Sequence, residues 1–126
     1  MVHRVHEILL VASPYDAFII EEDGGLTEQI MTEYIGMNFN YAPRVTRSST
    51  AASAMNDLSK NNFDLVIVML RIEDTDPISL GKSIKKKYPN MPVILLAFDE
   101  TEIKQFTPRI SPSSINSILS WRLDDS

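Results

Sequence analysis

Three short stretches of the chain are apolar without interruption: residues 8–12 (Ile-Leu-Leu-Val-Ala), 65–70 (Leu-Val-Ile-Val-Met-Leu) and 93–98 (Val-Ile-Leu-Leu-Ala-Phe). Continuous rather than alternating hydrophobicity predicts strands covered on both faces, as in a parallel sheet between helices. Helical spacing fills the intervals. In residues 50–60, Ala51, Ala54, Met55 and Leu58 share one face, with Thr50 as N-cap and Asn61-Asn62 as exit. Asp76-Pro77 reads as N-cap and first helical residue, and Leu80, Ile84 and Tyr88 then align until Pro89.

Upstream, Asp23-Gly24-Gly25 is a turn from which a helix is predicted to start near Thr27, carrying Leu26, Ile30, Tyr34 and Met37 on one face. Residues 44–48, Val and Thr between charges, predict a weak strand at a sheet edge. Asp99 and Glu102 have the spacing of a capping box for a short helix with Ile103 and Phe106, which Pro108 ends. Residues 115–121 are read as a fifth strand, although Ile115, Ile118, Leu119 and Leu123 also fit an amphipathic helix over residues 113–123. In the strand reading only residues 122–126 remain, so the last covering helix is missing and an apolar patch around the first and third strands is expected to be exposed. That expectation carries with it a homodimer, or a helix supplied by the parent chain.

The order β-α-β-α-β-α-β predicts an α/β doubly wound parallel sheet in one domain, with ligands at the C-terminal strand ends. Composition narrows its partners. Twelve Lys and Arg against seventeen Asp and Glu give a net charge of −5, the wrong sign for a phosphate-backbone binder, so no nucleic acid is expected. The absence of cysteine excludes disulfides, thiolate metal sites and thiol nucleophiles, and it suits a cytoplasmic location. No apolar run approaches the roughly 18 residues of a membrane helix, so no membrane association is expected.

The residues that follow the strands resemble a known family. Residues 7–11 (Glu-Ile-Leu-Leu-Val), 63–68 (Phe-Asp-Leu-Val-Ile-Val) and 87–96 (Lys-Tyr-Pro-Asn-Met-Pro-Val-Ile-Leu-Leu) resemble strands one, three and four of response-regulator receiver (CheY-like) domains. The resemblance spans residues 7–121 and implies a three-layer, flavodoxin-like fold with strand order 2-1-3-4-5. It also implies a five-residue phosphorylation site, and each of its positions is altered. Ala12 and Ser13 stand where the family has the acidic pair that holds Mg²⁺, and Met69 where it has the phosphoacceptor Asp. Ala97 replaces the Ser or Thr after strand four, and Ser120 the Lys of strand five. Acyl-phosphate chemistry needs a carboxylate nucleophile, an oxygen-ligated Mg²⁺ and a cation on the phosphoryl oxygens. The expected function is therefore that of a pseudo-receiver: a non-catalytic regulatory module, with no cofactor, that acts through a protein partner or a C-terminal catalytic or output module.

A narrower resemblance lies in residues 13–24, read as an unusually long link after strand one, with residues 41–44 and Ser120-Trp121. These are similar to receiver-like domains at the N-terminus of phosphoenolpyruvate- and pyruvate-binding phosphotransferases, which implies that the 126 residues are the front end of a longer protein.

Two other readings stay in view. Asp16, Glu73, Asp74, Asp76 and Asp99 are assigned to loops after strands and make a candidate displaced acidic cluster, with Asp64, Asp74 or Asp76 as phosphoryl acceptor. Capping and solubilising duties explain the same residues. A small-molecule module of flavodoxin type would need a Gly-, Ser- and Thr-rich phosphate loop after strand one, where the chain has Ala12-Ser13-Pro14-Tyr15. His3 and His6 lack further ligands for a metal, Ser48, Ser49 and Thr50 lack a nearby His for nucleophilic work, and Lys85, Lys86 and Lys87 read as a solvated helix end.

Overall fold

The computed structural model describes residues 7–23, 44–97, 100–111 and 113–120. Five strands, β1 (Glu7–Val11), β2 (Arg44–Ser48), β3 (Leu65–Met69), β4 (Val93–Ala97) and β5 (Ser117–Ser120), form one sheet in the order β2-β1-β3-β4-β5. All four pairings are parallel, as the continuous apolar runs require. The described helices are α1 (Pro14–Asp23), α2 (Ala51–Lys60), α3 (Pro77–Lys87) and α4 (Glu100–Phe106), the last followed by a 3-10 turn (Thr107–Arg109).

Successive strand residues serve opposite faces. Ile8 and Leu10 join Leu65, Ile67, Met69, Ile94, Leu96 and Ala17 of α1 in one cluster. On the other face Leu9, Val11, Val66, Val68, Val93 and Leu95 meet Ala54 and Leu58 of α2, Leu80 and Ile84 of α3, and Phe106 of α4. The faces of α2 and α3 read from periodicity are those that pack. The apolar patch expected around β1 and β3 is not exposed: Ile8, Leu10, Leu65 and Ile67 are all within 1% of complete burial.

The largest departure from the sequence reading is α1. Residues 13–24 read as a link, yet Pro14 to Asp23 are helical. The physical reason was in the sequence: the Ser13 hydroxyl accepts the Asp16 backbone N–H at 3.1 Å, the Ala17 N–H donates to the Ser13 carbonyl at 3.0 Å, and Pro14 follows as first helical residue. Ser-Pro with an acid at the third helical position is a start signal, which the weak amphipathicity of the segment obscured. The helix predicted from Thr27 and both N-terminal histidines lie outside the described residues.

Residues 115–121 contribute a strand, shorter than expected at Ser117–Ser120, and the helical alternative over 113–123 does not hold there. Its entry is set by Asn116, whose Oδ1 accepts the Val93 N–H at 2.8 Å and the Lys85 ammonium at 2.6 Å. Lys85 also donates to the Met91 carbonyl at 2.7 Å. Lys85 is thus a cross-link between α3 and the start of β4 and β5, in contrast to the solvated role read for it, and its burial lowers the ammonium pKa. Lys86 and Lys87 are exposed, as expected. At the far edge, β2 was predicted to be peripheral and is; Arg44 pairs with Glu7 at 3.5 Å on an exposed rim.

Candidate functional site

In a sheet of this topology the C-terminal strand ends form the ligand-facing edge. Val11 is opposite Val68 and Ser48, Met69 is opposite Leu96, and Ala97 is opposite Ser120. Ala12 continues from β1, its N–H bonded to the Ser48 carbonyl at 2.9 Å. Four of the five positions singled out by the resemblance, Ala12, Met69, Ala97 and Ser120, therefore follow or end neighbouring strands. Ser13 completes the set at the start of α1.

Three of these residues are buried and a fourth caps a helix. Ala12, Met69 and Ala97 are exposed by 3%, 1% and 1%, and Ala12 and Met69 share the apolar cluster of β1, β3 and α1. Ser13 caps α1 through its hydroxyl, which ties that side chain to the helix. Nothing in this row offers a carboxylate.

The acids expected near the edge are dispersed. Asp74, in the loop after β3, accepts the Ala51 N–H at 2.7 Å and the Ala52 N–H at 3.2 Å, capping α2 from another segment. Asp76 caps α3, accepting the Ser79 N–H and the Ser79 hydroxyl at 2.9 Å each. Asp16 lies buried in the first turn of α1, 3.8 Å from Arg71 Nη1. Asp99 is outside the described residues. Asp64 is at the opposite edge, where it accepts the Glu7 N–H at 3.0 Å before β3 begins, so it cannot take part in chemistry at the C-terminal ends. Among the described residues no three His, Cys, Asp or Glu are grouped to hold a metal ion.

Capping leaves an electrostatic signature. The Ala51 N–H, opposed by partial desolvation and helped by the Ala52 N–H, holds the Asp74 carboxyl below its ordinary 3.8. The Ser79 N–H does the same for Asp76, again against desolvation, with the Ser79 hydroxyl adding to it. A carboxyl whose pKa is depressed by folding stabilises the native state above the unfolded value, and that contribution is lost as pH falls through the folded value. Asp74→Asn/Asp76→Asn should therefore be less stable than the parent at neutral pH. The gap should close on acidification below about pH 4, where the unfolded carboxylates protonate. Urea unfolding across pH checks this; a gap that stays constant would mean that neither charge is linked to folding.

Sequence reasoning did not find Arg71, Gly81 or Asn116. Arg71 follows the apolar run and gives no periodic signal; its partner is 55 positions away by number, in a segment read as a link. Asn116 is a polar residue before a strand, and only the register of β4 against β5 gives it three elements to join.

The strand order, the two covered faces and the helix order define the receiver-domain class of α/β fold. The solved structures agree. The signal receiver domain of an HD domain-containing protein from Pseudomonas fluorescens Pf-5 superposes with a TM-score of 0.68 at 24% identity, covering 95% of this chain and 86% of that one. A response regulator from Thermotoga maritima in complex with Mg²⁺-BeF gives 0.66 at 16% identity over 93% and 87%. The receiver domain of a signal transduction histidine kinase from Syntrophus aciditrophicus gives 0.60 at 18% over 91% and 77%. No family model matches the sequence, and no curated protein does. At these identities the likeness establishes the fold. No described helix is long and apolar enough to cross a membrane.

Proposed function

We propose that this chain is a pseudo-receiver: a signal-transduction module that keeps the receiver fold, carries out no phosphotransfer at the end of β3, and acts through protein contacts. The observation that carries this reading is Met69, a thioether 1% exposed within an apolar cluster at the place where receiver chemistry requires an ionised carboxylate. The surroundings fit a metal no better. Ala12 has no donor side chain, Ser13 spends its hydroxyl on the α1 cap, and hard Mg²⁺ wants several oxygen ligands. Asp74 and Asp76, two of the carboxylates named as displaced acceptors, spend their oxygens on helix N-termini. Either of them would have to give up its cap to act as a displaced phosphoryl acceptor.

The similar domains from Pseudomonas and Syntrophus belong to an HD domain-containing protein and to a histidine kinase, which supports a partner or output module for this domain too. For a phosphotransferase module as the attached partner the resemblance of residues 41–44 and 120–121 is what remains, since residues 14–23 form α1 rather than a long link, and a soluble cytoplasmic setting goes with the proposal. Self-association is the weaker alternative, since the patch that suggested it is buried.

The test is incubation with acetyl phosphate and Mg²⁺ followed by intact-mass measurement. The expected spectrum is unchanged. A base-labile increment of one phosphoryl group would reject the reading and reinstate a displaced carboxylate.

A further inference from the structure

Asp16 and Arg71 meet beside the C-terminal end of the sheet. Asp16 is 2% exposed, and its Oδ1 is buried with no hydrogen-bond partner among the described residues. Leaving a carboxylate out of water without compensation is strongly unfavourable. The compensation on hand is the Arg71 guanidinium, whose Nη1 stands 3.8 Å from that oxygen on a side chain that is otherwise 64% exposed. The separation is too long for a hydrogen bond and short enough for direct charge attraction.

Arg71 sits in the loop between β3 and α3, and the same loop is fastened on its other flank. The Glu73 N–H donates to the Ser49 carbonyl at 3.3 Å, and Asp74 takes the first two N–H groups of α2. The loop is thus held toward α1 by an ion pair and toward α2 by hydrogen bonds.

We propose that Arg71 is the built-in counter-cation of Asp16, and that this pair clamps the β3–α3 loop against α1 in one arrangement that needs no divalent ion. The inference rests on the pseudo-receiver reading and deepens it: a loop clamped on both flanks offers a partner a constant surface, set by the chain's own charges.

Amide hydrogen exchange by NMR on the whole chain tests it, in the parent, Asp16→Asn, Arg71→Gln and the double variant. Arg71→Gln alters an exposed side chain and removes no core atom, so it remains informative if Asp16→Asn folds poorly. The expected result for Arg71→Gln is exchange at the Glu73 amide faster by about tenfold, with β4 amides changed by less than about twofold. The double variant should be no faster than the faster single one, because the two residues act as one unit. Millimolar Mg²⁺ should leave the parent's Glu73 exchange unchanged. Additive effects, uniform acceleration across the sheet, or slowing of the parent by Mg²⁺ would each overturn the clamp. Phosphorylation by acetyl phosphate with the coupling intact would instead reject the pseudo-receiver reading and leave the clamp standing.

Discussion

Met69→Asp, the substitution that restores the receiver carboxylate, is expected to destabilise the protein and to leave it unphosphorylated. Met69 is 1% exposed in the cluster formed by Ala12, Ala17, Ile67 and Leu96. An ionised carboxylate there exchanges hydration for apolar side chains, which costs several kcal/mol even after relaxation. The new acid answers by a raised pKa, since burial disfavours its charged form. A loss of about 3–5 kcal/mol is expected at neutral pH. It should shrink on acidification, because the neutral acid is cheaper to bury. Met69→Leu, near in volume and apolar, should lose less than about 1.5 kcal/mol. Phosphorylation stays absent because Ala12 and the capping Ser13 supply no acidic pair for Mg²⁺. Urea unfolding and intact mass after acetyl phosphate treatment read the two halves. A Met69→Asp protein as stable as the parent would show that the site is not apolar in solution, and a Mg²⁺-dependent phosphoryl adduct would show that a single carboxylate suffices.

The second large effect is expected at Gly81. By helix propensity alone, Gly81→Ala in the interior of α3 should gain about 1 kcal/mol. The structure reverses the sign. A Cβ at Gly81 would collide with the Ser114 carbonyl oxygen and lie 3.0 Å from its carbon and 3.2 Å from Ile115 Cγ1. Two of those atoms are backbone, in a turn closed by Ser114 and Ile115 N–H bonds to the Ser111 carbonyl at 2.8 and 2.9 Å. Relief would move the whole turn, which feeds Asn116 and β5. Overpacking of this kind typically costs about 1–3 kcal/mol, and the rigid backbone neighbour places Gly81→Ala at the upper end before the propensity gain is subtracted. The net expectation is a destabilisation of about 1–2 kcal/mol, or a melting temperature lower by roughly 3–8 °C for a domain of this size. A Gly81→Ala protein more stable than the parent would mean that the turn yields freely and that α3 and β5 are not packed as described.

The parts of this protein that local chemistry dictates were legible from the chain. The runs at β1, β3 and β4 are apolar on successive residues, which suits only strands buried on both faces, and a parallel sheet follows from that and from the intervening helical periodicity. Thr50 and Asp76 signalled the starts of α2 and α3 through capping, and both side chains cap as read. Helix α1 was missed although its start signal was present, because periodicity is a weaker guide where one small residue, Ala17, is the contact to the core cluster.

The row of positions at the strand ends could be named from the sequence, but what each does there depends on neighbours distant along the chain. Asp74 read as one of a cluster of acids; its carboxylate proves to cap α2 from 23 residues away. Lys85 read as a solvated cation and became a cross-link because β5 enters beside α3 and brings Asn116 to it. Asp16 met Arg71 only because α1 and the β3–α3 loop converge at the same edge. Apolar periodicity and caps act within about one turn of the chain, so sequence alone determined the buried strands β1, β3 and β4, the starts of α2 and α3 and the apolar character of the strand ends. Ion pairs and close backbone approaches depend on distance in space, so tertiary structure alone decided which acids are committed, what a side chain at Gly81 would meet and which cation stands beside the buried carboxylate.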